Sequence, residues 1–226
     1  MRFYGEGLPG VDPGNLVGKL IVIEGADGSG RSTQMELLKD SLEGRGHATV
    51  NVGLRRSTLV SEELQAAKQG NVLGEITRSI FYATDFADQL DNRIIPALKA
   101  GFIVLADRYT YTLMARDTVR GADREWMRSL YGIALVPDLV IYLRVSPAQL
   151  VERNFRKNST LDYWEAGMDL GLSRDIFDSF MRYQRLIQKE FNLMQREYGF
   201  HVINGNRSFR SVSREITTKV ENMLGL

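Results

Sequence analysis

KLIVIEGADGSGRSTQ, residues 19–34, decides how this chain is read. Lys19 to Glu24 is a short apolar, β-branched run that ends at glycine, the mark of a buried strand. From Ser32 onward Met35, Leu38 and Leu42 recur at helical spacing until Gly44 and Gly46 let the chain turn, so a helix follows the strand. Between the two lies Gly25-Ala26-Asp27-Gly28-Ser29-Gly30-Arg31-Ser32, two glycines five apart followed by a basic residue and a hydroxyl. Successive backbone N–H groups in such a loop, with the helix N-terminus behind them, can wrap a triphosphate, so Gly25 through Thr33 are the candidate donor site and Ser32 a candidate Mg²⁺ ligand. A plain Gly-rich turn is the alternative, and the position between a buried strand and a helix favours the phosphate site. Arg31 stands where lysine is usual. It keeps the charge and can grip two oxygens at once, but its flat fork follows a migrating phosphoryl group less well than a compact ammonium.

Working outward, His47 to Val52, Phe102 to Ala106, Leu139 to Val145 and Phe200 to Ile203 read as four further strands. Helices are expected from a capped start at Ser61-Glu62-Glu63-Leu64, from Gly74 toward Pro96 through Ile76, Ile80, Tyr82, Ala83 and Ala87, and over Gly121 to Ala134. Pro147 opens another, Ile176 to Met194 forms a long amphipathic one, and Val212 to Met223 closes the chain. Residues 158–173 break the pattern and suit a surface segment. Strands alternating with helices, several of the strands apolar throughout, point to an α/β fold with a parallel sheet covered by helices on both faces. Residues 1–17 read as an extension, which could cover a sheet edge, join a dimer contact or stay disordered, and 18–226 as one domain.

Of 226 residues, 43% are hydrophobic and 25% charged, as in ordinary globular proteins. Lys and Arg total 29 against 28 acidic residues, so nothing general attracts nucleic acid or membrane, and Arg55-Arg56 is too short for a nucleic-acid stripe. The absence of Cys excludes disulfides and thiolate metal sites. No apolar run is long enough to span a bilayer and no secretory signal opens the chain, so a cytoplasmic address is expected. His47 and His201 lack a partner at a telling spacing, and Trp126 and Trp164 read as packing residues, although Trp164 could close over a nucleotide.

The third strand ends in Asp107-Arg108-Tyr109. An aspartate there can order Mg²⁺ and the adjacent arginine can reach phosphates, while the water-activating glutamate of motor-type ATPases and the Asn-Lys-x-Asp guanine reader are both missing. An exposed ion pair at a strand end is the plain alternative. With RRST at Arg55 to Thr58, FYATDFADQ followed by IIPALKAGFIVLADRY, PDLVIYLRVSP at Pro137 to Pro147 and the basic RNFRKNSTLDYWE segment, the chain resembles the thymidylate kinase family of nucleoside monophosphate kinases from Gly18 onward.

That resemblance implies a five-stranded parallel sheet of the P-loop NTPase type with a short lid over about residues 153–173, ATP as donor, Mg²⁺, a homodimer and transfer of the γ-phosphoryl group to dTMP. It places Asp27 on the acceptor sugar hydroxyl, Arg56 on the acceptor phosphate with Ser57 and Thr58 beside it, and Asp107 and Arg108 in the family's Asp-Arg pair. Gly28 stands where one branch of the family has an arginine, which is similar to the branch that supplies cations from the lid, here Arg153, Arg156 and Lys157. Arg31, Asp107, Arg108, Arg153 and Arg156 are thus the candidate catalytic residues.

The acceptor-base site departs from the family. Tyr82 keeps the aromatic that stacks on thymine, but Phe86 replaces an arginine and Leu113 a polar base reader, and Arg116 lies near the aromatic that excludes ribonucleotides. The expectation is a clamp of Tyr82 and Phe86 with Arg116 as its polar contact. Apolar contacts separate similar bases by only about 1–3 kcal/mol. Phe86 and Leu113 therefore keep open a second reading, a kinase of another monophosphate or phosphorylated small molecule, and Arg31 a third, a catalytically weak nucleotide-binding protein.

Overall fold

The computed structural model describes residues 1–54, 57, 74–158 and 160–226, with the backbone alone at 157 and 158. The expected helix start at Ser61, together with Arg55, Arg56, Thr58 and the side chain of Lys157, lies outside the described residues. Five strands form a single parallel sheet: β1 (Lys19–Gly25), β2 (Thr49–Gly53), β3 (Ile103–Asp107), β4 (Leu139–Arg144) and β5 (His201–Asn204), in the order β2-β3-β1-β4-β5. In β1, Leu20 to Ile23 have no exposed surface, which explains a strand apolar on both faces. The helices are α1 (Arg31–Glu43), α2 (Glu75–Gln89), α3 (Ile95–Lys99), α4 (Thr110–Val119), α5 (Arg124–Leu130), α6 (Pro147–Asn158), α7 (Ile176–Tyr198) and α8 (Phe209–Leu224). None of the described helices is long and apolar enough to cross a membrane.

Two compact units are distinguished. The first comprises Met1–Val22 and Lys39–Leu139. In it β2 and β3 pair from Thr49 opposite Ile103 to Gly53 opposite Asp107, so their carboxyl ends are level. The opening residues belong to this unit and are ordered: Phe3 makes an antiparallel bridge to Leu135, and the Tyr4 N–H donates to the Ala134 carbonyl at 2.9 Å. The expected helix over Gly74 to Pro96 runs further, because a π turn at Leu90–Ile94 lets the chain pass Pro96 into α3. Its Ile76 and Ile80 are 66% and 47% exposed; the buried face carries Ser79, Ala83, Asp85, Phe86 and Gln89 instead. The helix expected over Gly121 to Ala134 is shorter, starting where the Asp123 carboxylate accepts from the Trp126 N–H at 2.8 Å.

The second unit comprises Ile23–Leu38 and Val140–Leu226. Here β4 and β5 pair from Ile141 opposite His201 to Arg144 opposite Asn204. Val145, Leu150, Leu161, Ala166 and Phe180 form a buried cluster against which Ala26 of the Gly-rich loop packs. The expected break after Asn158 is a set of turns and a short 3₁₀ segment, Met168–Leu170, pinned by buried Leu161 and Ala166. The Asp175 carboxylate caps α7 by accepting from the Asp178 N–H, and left-handed Gly199 ends it.

Candidate active site

The Gly-rich loop leaves β1 at Gly25 and enters α1 at Arg31. Gly28 and Gly30 have φ of +80° and +91°, and a Cβ at Gly28 would sit 3.0 Å from the Asn154 side chain. Glycine is thus needed at Gly28 for both conformation and space. Asn154, 6% exposed on α6, donates from Nδ2 to the Asp27 carbonyl at 3.1 Å. Arg153 donates to the Gly205 carbonyl at 2.9 Å, the Gln149 side chain at 3.3 Å and the Ser29 carbonyl at 3.4 Å. One helix therefore fastens the loop at two points, and the Asn154 contact was not foreseen because it joins residues 127 positions apart.

Arg31 is nearly buried, and its guanidinium turns back into the loop. It donates to the carbonyls of Gly25 and of Ala26, the latter at 2.6 Å, and lies 3.7 Å from the Asp27 carboxylate. Of the expected lid cations, Arg153 is engaged as above, while Arg156 is an exposed side chain paired with Glu152 at 2.6 Å, one helical turn back.

In the first unit Asp107 ends β3 and Arg108 follows it, both largely buried. Arg108 has φ 69°, the one left-handed residue other than glycine among the described residues. That conformation costs about 1–2 kcal/mol and persists where the surroundings over-determine it, a pattern that clusters at functional sites. The anchor is Tyr109, 2% exposed, whose hydroxyl donates to the Leu135 carbonyl at 3.1 Å.

Beside this turn α2 packs on α4. Asp85 is fully buried; one carboxylate oxygen accepts from the Ser57 N–H at 3.1 Å and the other from the Gln89 amide at 3.0 Å. The Ser57 hydroxyl donates to Asp88 at 2.6 Å, and the Gly53 N–H to the Gln89 oxygen at 3.2 Å. One face of α2 thus holds Ser57, the neighbour in sequence of the expected acceptor arginine. The spacing Asp85, Asp88, Gln89 was the available signal for this grip. Tyr82 is half-buried on the same helix. Phe86, 4% exposed, sits edge-on to Tyr109 and Tyr131 with ring centroids at 5.1 and 6.0 Å, which places it in an aromatic core cluster. Leu113 is buried and Arg116 half-buried on α4.

A charged cluster absent from the sequence reading lies between α2 and α4. Asp117 accepts from the Ser79 hydroxyl at 2.6 Å and faces Arg78 at 3.6 Å. Burial raises its pKa above the ordinary 3.8, with the Ser79 hydrogen bond and then Arg78, Arg120 and Arg116 offsetting part of the effect. The folded state therefore prefers the protonated acid, and the Asp117 contribution to stability falls as pH rises from 3.8 through the raised value. Asp117→Asn removes that slope. In urea unfolding followed from about pH 3.5 to about pH 7, the stability difference between variant and wild type should move in the variant's favour. A difference that stays constant or moves the other way counts against this assignment.

Ser32 in the second unit and Asp107 in the first each carry an oxygen donor, the ligand type that hard cations such as Mg²⁺ take. The described residues hold no group of three or more His, Cys, Asp or Glu side chains that could hold a metal ion.

Comparison with known proteins follows the same lines. A family model described as thymidylate kinase matches residues 23–216. The chain is 38% identical over 200 residues to a protein named probable thymidylate kinase 2 from Saccharolobus solfataricus, covering 88% of this chain and 93% of that one. It is 27% identical over 215 residues to a probable thymidylate kinase of Thermococcus kodakarensis, covering 91% and 98% of the two chains. The corresponding protein of Thermococcus onnurineus is 29% identical over 215 residues, with 90% and 98% covered.

Proposed function

The chain belongs to the thymidylate kinase family, and from that premise we propose that it transfers the γ-phosphoryl group of ATP to dTMP, releasing ADP and dTDP. The bond from the γ-phosphorus to the β–γ bridging oxygen breaks as one forms to an oxygen of the dTMP phosphate, in line and with no covalent enzyme intermediate. Positioning and neutralisation of charge supply the rate.

In this reading the backbone N–H groups of Gly25 to Thr33 bind the donor phosphates, and Arg31 stiffens the loop through the Gly25 and Ala26 carbonyls while lending its charge. Mg²⁺, when bound at Ser32 and Asp107, neutralises phosphate charge and orients the donor. Arg108 and Arg56 hold the acceptor phosphate against its own repulsion, and Asp27 meets the acceptor sugar hydroxyl. Arg156, whose one ion pair among the described residues is the exposed one with Glu152, turns toward the phosphates, whereas Arg153 keeps the loop in place. Tyr82 stacks on the base, and Arg116 stands at its sugar side. The observation that supports the reading most directly is the combination, in one chain, of the phosphate loop with an Asp107-Arg108 turn where hydrolases carry a water-activating glutamate. We also place the protein in the cytoplasm, where its soluble substrates are, and as a homodimer.

The test is ADP release from Mg·ATP by the purified protein against dTMP, dUMP and the four ribonucleoside monophosphates. Turnover on dTMP above every other acceptor is expected. Silence on dTMP with ATP still bound would overturn the assignment of the acceptor.

A further inference from the structure

Residues 1–17 lie ahead of the residues that the family model matches, yet they are built into the first unit. Residues 2–5 run antiparallel to residues 132–136. The Val136 N–H donates to the Arg2 carbonyl at 2.8 Å, Phe3 bridges Leu135, the Tyr4 N–H donates to the Ala134 carbonyl at 2.9 Å and the Gly5 N–H to the Gly132 carbonyl at 2.8 Å. At the last of these the two backbones meet glycine on glycine, and a Cβ at Gly5 would lie 3.0 Å from the Gly132 Cα.

The strip that this segment covers also carries the Arg108 turn. Tyr109 follows the left-handed Arg108 and precedes α4, whose start has no side-chain cap. The Tyr109 hydroxyl donates to the Leu135 carbonyl at 3.1 Å, so the turn is tied to the residue that Phe3 bridges. Tyr111, in the first turn of α4 and 1% exposed, shares a hydroxyl–hydroxyl hydrogen bond with Tyr4, and the two rings meet edge-on with centroids 6.3 Å apart. Tyr109 and Tyr111 pack on each other in turn, with centroids 6.0 Å apart. The opening segment therefore reaches the turn by two routes, through Leu135 to Tyr109 and directly to Tyr111. A left-handed arginine persists where its surroundings over-determine it, and these routes supply part of that determination.

We propose that the opening segment is a strap that holds the Arg108 turn in its working conformation, with Tyr4 as a positioning residue for the acceptor side of the reaction. Tyr4 acts through Tyr111 and through residues 132–136. The catalytic half of the proposal rests on the reading of Arg108 as the arginine on the acceptor phosphate; the structural half stands without it. A displacement of about 1 Å in a positioned group costs on the order of a hundredfold in rate, so a loosened strap lowers kcat. The phosphate loop belongs to the second unit, so the affinity for ATP should not follow.

Gly5→Val sets a branched side chain against Gly132 and lifts the strap, whereas Tyr4→Phe removes one oxygen and keeps the ring on Tyr111. Hydrogen–deuterium exchange of the full chain should quicken in peptides covering residues 107–115, by about tenfold in Gly5→Val and about threefold in Tyr4→Phe, with peptides from α7 unchanged. Turnover of dTMP should slow in the same order, with KM for ATP at the wild-type value. Exchange over 107–115 at the wild-type rate in both variants overturns the strap. Exchange that quickens equally in α7 also overturns it, because a general loss of stability then explains the change. Quickened exchange confined to 107–115 with wild-type kcat overturns the positioning role of Tyr4. If wild type itself ignores dTMP, the kinase reading fails and that role fails with it, while the exchange rates still decide whether the strap holds the turn.

Discussion

Arg108→Ala and Arg108→Gly should each lose about three orders of magnitude in kcat, because a cation on the transferring phosphates is worth about 10³–10⁵ in phosphoryl-transfer enzymes. The pair is informative because the two variants differ only in backbone freedom. At φ 69°, alanine keeps the strain of the native turn and glycine releases it. Arg108→Gly should therefore be more stable than Arg108→Ala by about 1 kcal/mol in urea unfolding, with activity equally low in both. Equal activity at unequal stability assigns the loss to the guanidinium rather than to the turn. Wild-type turnover in either variant would remove Arg108 from the reaction. Steady-state kinetics with saturating Mg·ATP and varied dTMP supplies the reading, since an arginine on the acceptor phosphate also raises KM for dTMP.

The left-handed turn at Arg108 marks what a sequence discloses and what it withholds. All five strands were legible within one or two residues, because β1, β3 and β4 are buried apolar runs and the half-buried edge strands β2 and β5 carry β-branched residues after a turn. The phosphate loop was legible for the same reason of locality: eight consecutive residues carry it. α4, residues Thr110–Val119, was not, because Thr110, Tyr111, Thr112, Leu113, Met114, Ala115 and Asp117 are all buried and leave no amphipathic stripe to detect. In α2 the periodicity of Ile76 and Ile80 pointed to the wrong face, since the buried face is partly polar. The same polar burial hid the contacts that organise the candidate site. Ser57 with Asp85, Ser79 with Asp117 and Asp27 with Asn154 join residues 28, 38 and 127 positions apart; the Asp85, Asp88, Gln89 spacing marks a polar face, but no local pattern names the partner across such a distance.

Asp85→Asn isolates the most buried of those contacts. The native carboxylate accepts from the Ser57 N–H and from the Gln89 Nε2 amide. An asparagine offers one oxygen and one NH₂ group. If its oxygen faces Ser57, its NH₂ confronts the Gln89 NH₂. Turning the Gln89 amide over relieves that clash but points its NH₂ at the Gly53 N–H, which Gln89 Oε1 now accepts. Every arrangement of the two amides leaves two donors facing each other in a site with no exposed surface at Asp85. The expected cost is about 2–4 kcal/mol of stability, read as a lower urea midpoint at unchanged m value. Because Ser57 is covalently joined to Arg56, the shift should also appear in catalysis as about a tenfold rise in KM for dTMP, with KM for ATP nearly unchanged. A purely structural aspartate would lower stability and leave the two KM values in their wild-type ratio. Asp85→Asn with wild-type stability would show that the amides find an arrangement these hydrogen bonds forbid. A selective loss of dTMP affinity would make Asp85 the positioning residue through which α2 sets the acceptor-phosphate grip.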